Sequence, residues 1–332
     1  MSATNVILFN ADSAISQAAG EAPVLGALVV LYKPTAMQLR NLIDLRARCG
    51  VLLAVDNSPA ANTANVGLLG DHDIEYVFNG NRGGIAGAYN RGLARLFAQG
   101  LDAVVLFDQD SHASANYFPV MRASCAALGA RAFAIGPRIY DENARRFLPQ
   151  LYSNGFYVRT LVFPEGAALQ PCSFLISSGS VISRLAYEQL GAFTEALFID
   201  HVDTDYSMRA LVRGVQFYVE PRLVLSHRIG NKREHRLGPL RVTSMNHPPM
   251  RRYYMARNAM HLSLKYFQSL PVALVPNFIT LLQVLQISLF ESDKRAKLSS
   301  IGCGLVDGVL GRLGPLETTR PRLAARIARG QG

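Results

Sequence analysis

Two clusters of carboxylates define the chemistry open to this sequence. Asp200, Asp203 and Asp205 fall inside Phe-Ile-Asp-His-Val-Asp-Thr-Asp-Tyr-Ser-Met-Arg-Ala-Leu-Val-Arg, residues 198–213, ahead of a stop at Gly214. Apolar Tyr206, Met208, Ala210 and Leu211 predict a short helix whose first turn sets acids beside unpaired backbone N–H groups. Such acids are held ionised and can accept a proton, although plain capping charge gives the same pattern. A second cluster, Asp108-Gln109-Asp110-Ser111, follows the apolar run Val104-Val105-Leu106-Phe107. Two acids one residue apart at a strand end can share a hard divalent cation that also grips phosphate oxygens, and a hydrophilic turn is the plainer alternative. Together the clusters suit a site in which one holds a metal diphosphate and the other supplies a base.

The elements that must position these acids alternate. Val24 to Tyr32 is apolar almost throughout and predicts a strand buried on both faces. Thr35 caps a helix with Leu39, Leu42 and Ile43 on one stripe, expected to end at Gly50. Strands at Val51 to Val55, Ile74 to Phe78, Ala103 to Phe107 and Phe133 to Gly136 interleave with helices from Ile85 to Phe97 and Tyr117 to Leu128. That order predicts an α/β fold with a mostly parallel sheet flanked by helices, which binds ligands at the carboxyl ends of its strands. Asp56, the loop Asn79-Gly80-Asn81-Arg82-Gly83-Gly84 and Asp108 all fall at those ends. The loop offers backbone N–H groups to a phosphate or sugar but matches neither the phosphate-loop nor the dinucleotide fingerprint, so alone it reads equally as a turn.

The net charge of +10 suits nucleic acid, anionic lipid or a phosphorylated small molecule, and much of the excess follows residue 206. No helix-turn-helix, zinc-finger or base-stacking pattern appears, so no nucleic-acid partner is expected. Cys49, Cys125, Cys172 and Cys303 are too scattered for a paired metal motif and read as buried thiols. Residues 1–22 show no export signal and are expected to be a loose leader. Tyr266 to Phe290 carries no charge and is long enough to span a bilayer, yet holds Pro271, Pro276, Asn277, Thr280, Gln283 and Gln286. Phe278, Leu281, Leu282, Leu285 and Leu289 form one helical stripe with Lys294, Arg295 and Lys297 beyond it, which suits a helix lying in a membrane surface or one packed on protein, in this chain or a homo-oligomer. The Arg-rich stretch Arg320 to Arg329 reads as a solvated or lipid-facing tail.

Read in order, Ala54-Val-Asp-Asn-Ser-Pro59, Gly84-Ile-Ala-Gly87, Phe107-Asp-Gln-Asp-Ser111, Gly136-Pro-Arg-Ile139, Phe174-Leu-Ile-Ser-Ser-Gly179, Leu197-Phe-Ile-Asp-His-Val-Asp-Thr204, Pro221-Arg-Leu-Val-Leu-Ser-His-Arg-Ile-Gly230, Arg251-Arg-Tyr-Tyr254 and Leu316-Glu-Thr318 resemble the inverting family 2 glycosyltransferases of the GT-A fold. The resemblance is strongest to bacterial rhamnosyltransferases of the rhamnolipid type, those that add a second rhamnose. It implies a catalytic domain over 23–245 and a helical C-terminal region over 246–332. It implies Asp203 as general base, Asp108, Asp110 and His227 around a divalent cation (Mg2+ or Mn2+), and Asp56, Asn81, Arg82, Gly84, Asp108, Arg252 and Arg257, with neighbouring Arg251, on the nucleotide-sugar donor. Ser177, Ser178, Gly179 and Asp205 fall on the acceptor side. The implied reaction carries L-rhamnose from dTDP-L-rhamnose to a monorhamnosyl hydroxyalkanoyl lipid at the cytoplasmic face of the inner membrane, with a lipopolysaccharide or O-antigen acceptor as the alternative. Two rivals remain at this stage: a haloacid-dehalogenase-type phosphatase using Asp108, and a catalytically idle membrane-surface binder.

Overall fold

The computed structural model describes residues 23–164, 166–227, 233–237 and 240–329; the leader lies outside them. The first half alternates as its periodicity requires: β1 (Leu25–Leu31), α1 (Ala36–Arg46), β2 (Leu52–Asp56), α2 (Thr63–Asp71), β3 (Glu75–Phe78), α3 (Gly84–Ala98), β4 (Ala103–Asp108), α4 (Tyr117–Leu128) and β5 (Phe133–Asp141). Short strands β6 (Arg146–Phe147), β7 (Leu151–Ser153), β8 (Val158–Thr160) and β9 (Gln170–Cys172) precede β10 (Ser180–Ser183), α5 (Arg184–Leu190), α6 (Val202–Arg213) and β11 (Gln216–His227). A hairpin, β12 (Arg233–Leu237) and β13 (Leu240–Ser244), leads to α7 (Pro249–Tyr266), α8 (Val275–Phe290), α9 (Lys294–Val309), α10 (Leu316–Thr319) and α11 (Pro321–Arg329).

The main sheet has the order β3-β2-β1-β4-β10-β5-β11-β9, with β6 on β5. β1 pairs in parallel with β2 and β4, and β5 in parallel with β11, while β10 runs antiparallel between β4 and β5. Every residue of β1 is buried. Leu28 and Val30 pack with Leu93 and Leu96 of α3, whereas Ala27, Val29 and Leu31 pack with Leu39 of α1 and Met121 of α4. A strand covered on both faces has no solvent side to alternate toward, which is why it reads as a continuous apolar run. Thr35 and Gln38 form a capping box on α1, but the helix stops at Arg46, short of the expected Gly50.

The C-terminal helices are organised around α7, on which Arg252, Tyr253, Tyr254, Arg257 and Asn258 are all fully buried. α9 lies close against it because Gly304 and Gly308 have no side chain: a β-carbon at Gly304 would meet the Tyr253 carbonyl oxygen at 2.4 Å. α8 turns its polar residues inward, with Asn277 Nδ2 donating to Ser263 Oγ (2.7 Å) and Gln283 Oε1 accepting from Arg252 (2.8 Å). Its apolar stripe faces outward: Phe278 is 62% exposed, Leu281 64%, Leu285 59% and Leu289 58%. The reading in which this stripe packs on the catalytic domain is therefore corrected. Pro271–Phe290 is the single stretch among the described residues long and apolar enough to cross a membrane, with a mean hydropathy of 1.8 and 22% of it buried. The Arg-rich terminus expected to be a solvated or lipid-facing tail is a docked helix whose Arg322, Arg326 and Arg329 are exposed. In α11, Leu323 and Ile327 are buried against Tyr253 and Tyr254, and Arg320 pairs with Asp307 at 2.7 Å.

A buried ion network joins α7 to the α8–α9 turn. Glu291 accepts from Arg252 (2.7 Å) and Lys297 (2.8 Å), and Lys297 also reaches Asn246 Oδ1 at 2.6 Å. Removing the carboxylate leaves two enclosed cations uncompensated, which is a far larger loss than an exposed pair would give. Glu291→Ala should lower unfolding stability by about 3–5 kcal/mol in denaturant titration; a loss near that of a surface pair would show the network to be dispensable.

Candidate active site

The residues expected to meet the donor stand at the ends of β2 and β3. Asp56 closes β2 and is buried, its carboxylate accepting from the Ser58 N–H (2.7 Å) and the Tyr76 hydroxyl (2.8 Å). Burial and the Asp56 carboxylate push the Tyr76 phenol up, so it stays a neutral donor. Asn79 donates to Asn57 Oδ1 (2.7 Å) and the Arg82 carbonyl (2.9 Å), which fixes the 79–84 loop onto the end of β2. Asn81 holds φ 58°, and the Arg82 side chain is exposed toward solvent.

Gly84 has a different purpose from close approach to a phosphate. With φ 61°, it would place a β-carbon 2.0 Å from the Phe198 carbonyl oxygen, and the next amide, Ile85 N–H, donates to that oxygen at 2.9 Å. Its bareness makes room for another loop of the protein rather than for ligand. That loop, residues 197–201, leads into α6 and carries three non-glycine residues at positive φ: Phe198 (69°), Asp200 (60°) and His201 (59°). Such conformations cost about 1–3 kcal/mol each and persist only where surroundings enforce them. Here the Asn258 amide donates to the carbonyls of Leu197 (3.0 Å), Ile199 (2.9 Å) and Asp200 (2.9 Å), and Arg257 donates to the Leu197 carbonyl (2.9 Å).

These bonds correct the expectation for three arginines. Arg257 is enclosed and spends its guanidinium on loop carbonyls, those of Leu197 and Gly314 among them. Arg252 is enclosed with Glu291. Arg251 pairs with Asp200. None of the three is left as a diphosphate clamp. Asp205 likewise leaves the acceptor side: fully buried, it takes hydrogen bonds from Arg209 (2.6 Å), Lys265 (2.9 Å), Tyr266 (2.8 Å) and Thr194 (2.7 Å). Burial raises its pKa, but the cations of Arg209 and Lys265 outweigh that and hold it below the ordinary carboxylate value.

Asp203 stands in the first turn of α6, half-buried, and accepts from the Thr204 N–H at 2.8 Å and from the Ser177 N–H. Its position supports ionisation, yet its pKa is pushed up to about 6. Desolvation of the carboxyl is the largest cause and the Asp200 charge adds to it, together exceeding the backbone bonds that favour the ionised form. The low pKa expected from the helix terminus is thus overturned by burial. Burial also lowers the pKa of His201, whose ring reaches Thr204 Oγ1 at 3.3 Å.

The loop 177–179 joins the two acid clusters. Ser178 is buried with its hydroxyl 2.8 Å from that of Ser111, and Gly179 (φ 73°) donates its N–H to the Leu106 carbonyl at 2.7 Å. Those two residues build the loop and are not free for an acceptor; Ser177 is the one that faces Asp203. Tyr89 of α3 is hydrogen-bonded to the Ser177 side chain, and its pKa is raised by burial and by both Asp108 and Asp203. It stands between the clusters. Its only sequence signal was a polar atom on an otherwise apolar helix face.

Asp108 is half-buried at the end of β4, and Asp110 is exposed beyond it. A backbone bridge between His112 and Ser226 brings the end of β11, and so the backbone of His227, beside the same turn. No group of three or more potential metal-ligating side chains occurs among the described residues. Two carboxylates with the rest of the shell supplied by phosphate oxygens and water is nevertheless the donor set that magnesium-type cations use, so Asp108 and Asp110 fit a cation that arrives with a diphosphate.

On the far side of Asp203 opens a cleft of about 360 Å³. Asp203, His201 and Thr204 share its wall with Leu148, Phe174, Met208, Met255, Val275 and Ile279.

No model of a known protein family matches the chain. It is 28% identical over 295 residues to the dTDP-rhamnosyl transferase RfbF of Shigella flexneri, a match covering 87% of this chain and 96% of the relative. Among solved structures it superimposes on GalNAc-T7, crystallised with UDP, GalNAc and Mn2+, with a TM-score of 0.51 at 13% identity. That match covers 78% of this chain but 54% of the solved one, so the chain spans about half the length of that structure. A mixed, largely parallel sheet between helices, with carboxylates at its strand ends, is the GT-A glycosyltransferase fold, here continued by C-terminal helices.

Proposed function

We propose that the protein is an inverting rhamnosyltransferase that moves L-rhamnose from dTDP-L-rhamnose to a sugar hydroxyl of a monorhamnosyl hydroxyalkanoyl lipid. The observation that carries the reading is the placement of Asp203: a desolvated carboxylate bonded to Ser177, whose partner Tyr89 feels the charges of both Asp203 and Asp108, with an apolar cleft on its other side. The donor side of this reading draws on the likeness to the Shigella dTDP-rhamnosyl transferase. The acceptor side draws on the apolar lining. With β4 set inside a GT-A sheet, nothing favours a phosphatase built on Asp108.

Asp203 removes the proton from the acceptor hydroxyl as the oxygen bonds to the anomeric carbon. The bond from that carbon to the diphosphate breaks on the opposite face, so the configuration inverts. A base with a pKa of about 6 is ionised at neutral pH and is a better proton acceptor than an unperturbed aspartate. Asp56 and the Asn79–Arg82 loop bind the nucleotide end. A divalent cation on Asp108 and Asp110, when bound, stabilises the charge developing on the leaving diphosphate.

The exposed stripe of α8 is the reason to place the enzyme peripherally at the cytoplasmic face of the inner membrane. An apolar helix face this open in water suits the headgroup–acyl boundary. Lys294, Arg295 and Arg326 line one cleft just beyond the helix and complement an anionic lipid surface.

Three variants test these statements. Asp203→Asn should reduce turnover about a hundredfold or more while sparing donor affinity, and wild-type activity should fall as pH drops through about 6. The raised pKa means that ionised Asp203 costs folding energy, a cost absent below the ordinary value of 3.8 and full above about 6. The same substitution should therefore raise the melting temperature at pH 7 and not at pH 4; a drop at pH 7 would overturn the desolvated-base reading. Asp110→Ala should remove the dependence of donor binding on divalent cation, measured calorimetrically with and without chelator. Replacing Leu281 and Leu285 by Ser should release the protein from anionic vesicles in flotation with an unchanged melting temperature; retention on the vesicles would sink the membrane assignment.

A further inference from the structure

The cleft beside Asp203 is more specific than a general acceptor surface. Of its polar wall groups outside α6 and the loop before it, Gln150 already donates to the Pro137 carbonyl, Thr280 to the Pro276 carbonyl, and Gln283 accepts from Arg252. Most of the remaining lining is a broad apolar wall, and at the start of α6 stand His201, Asp203 and Thr204. A hydrophilic glycan placed there would strand its hydroxyls against Phe174, Met208 and Met255, each unpaired group being costly. An alkyl chain has no such requirement, and about 360 Å³ lies within the range of small-molecule pockets. The outer wall is α8 itself: Val275 and Ile279 line the cleft and are 43% and 46% exposed, so the apolar lining runs without a break onto the helix's open face.

We infer that this cleft holds the alkyl or acyl chain of the acceptor, directly adjoining the sugar whose hydroxyl Asp203 deprotonates, and that the chain enters past Val275 and Ile279 from the apolar face of α8. The inference rests on the assignment of Asp203 as base and deepens it by naming where acceptor selectivity lies. The shared chemistry, a sugar on an apolar chain, could come from a short amphiphile or from a saccharide on a polyprenyl diphosphate. In the second, a diphosphate and intervening sugars separate the chain from the accepting hydroxyl. The cleft, which touches Asp203, fits the first.

The chain contains no tryptophan, so Phe174→Trp introduces a single tryptophan reporter, excited selectively at its red edge, in the cleft wall. Titrated with rhamnosides carrying alkyl chains of increasing length, it should show a blue-shifted emission and a dissociation constant that falls about fourfold per methylene until the cleft is filled. The same titration with Asp203→Asn added reads binding without turnover, so a failure of the proposed reaction would leave it intact. In steady-state transfer, Ile279→Asp should lower the ratio of kcat/KM for long-chain over methyl rhamnoside by about tenfold or more, because a carboxylate is set in the chain's path. Emission that ignores chain length, an unchanged ratio in Ile279→Asp, or a polyprenyl diphosphate saccharide that displaces the alkyl rhamnoside from the reporter would overturn the inference.

Discussion

Everything at the site depends on one side-chain amide. Asn258, in the middle of α7, holds the carbonyls of Leu197, Ile199 and Asp200 together, and so keeps a loop with three left-handed residues in a conformation it would not hold alone. From that loop follow the direction of α6 and the place of Asp203. The Arg257 guanidinium reinforces the grip, and the Asp205 network fastens the first turn of α6 to Lys265 and Tyr266 at the far end of α7. The C-terminal helices are thus not an appendage to a finished catalytic domain. They supply the clamp that shapes the loop before Asp203.

Burial explains why the charged residues divide as they do. Carboxylates that serve structure, Asp205, Glu291 and Asp307, are each fully enclosed and met by cations. Asp203 is desolvated without a cation, and its pKa is raised where their charge is met by an opposite one. The same division applies to the arginines, where full enclosure at Arg252 and Arg257 spends on the fold the donors that a substrate would otherwise meet.

The sheet and the acids at its edge were legible because they rest on local signals. Apolar runs ending in Asp56 and Asp108 specify buried strands and their carboxyl ends, and Tyr117 to Leu128 is a helix with the bounds its stripe implies. Which side chains face the ligand was not legible, because that depends on partners far along the chain. Arg252 meets Glu291, Asp205 meets Lys265 and Gly84 meets Phe198, contacts that no spacing rule records. Asn258 had one faint signal, a poor helix former in the interior of a long helix, which marks a side chain needed for its hydrogen bonds. The orientation of the α8 stripe was equally hidden, since an amphipathic helix reads the same whether its apolar side meets protein or lipid.

The contact of Gly84 with Phe198 has a consequence for how such an enzyme can change. Because the Phe198 carbonyl fills the space of a missing β-carbon and is tied to the Ile85 amide, the 79–84 loop and the 197–201 loop form one joint. Mutations on either side of it will be strongly non-additive with mutations on the other. Asn81 belongs to the joint as well, its carbonyl accepting from the Gly84 N–H at 3.2 Å, whereas the exposed Arg82 side chain can vary without disturbing the loop before Asp203. A change at Gly84 itself would displace both loops in a single step, so selection acts on the two together there.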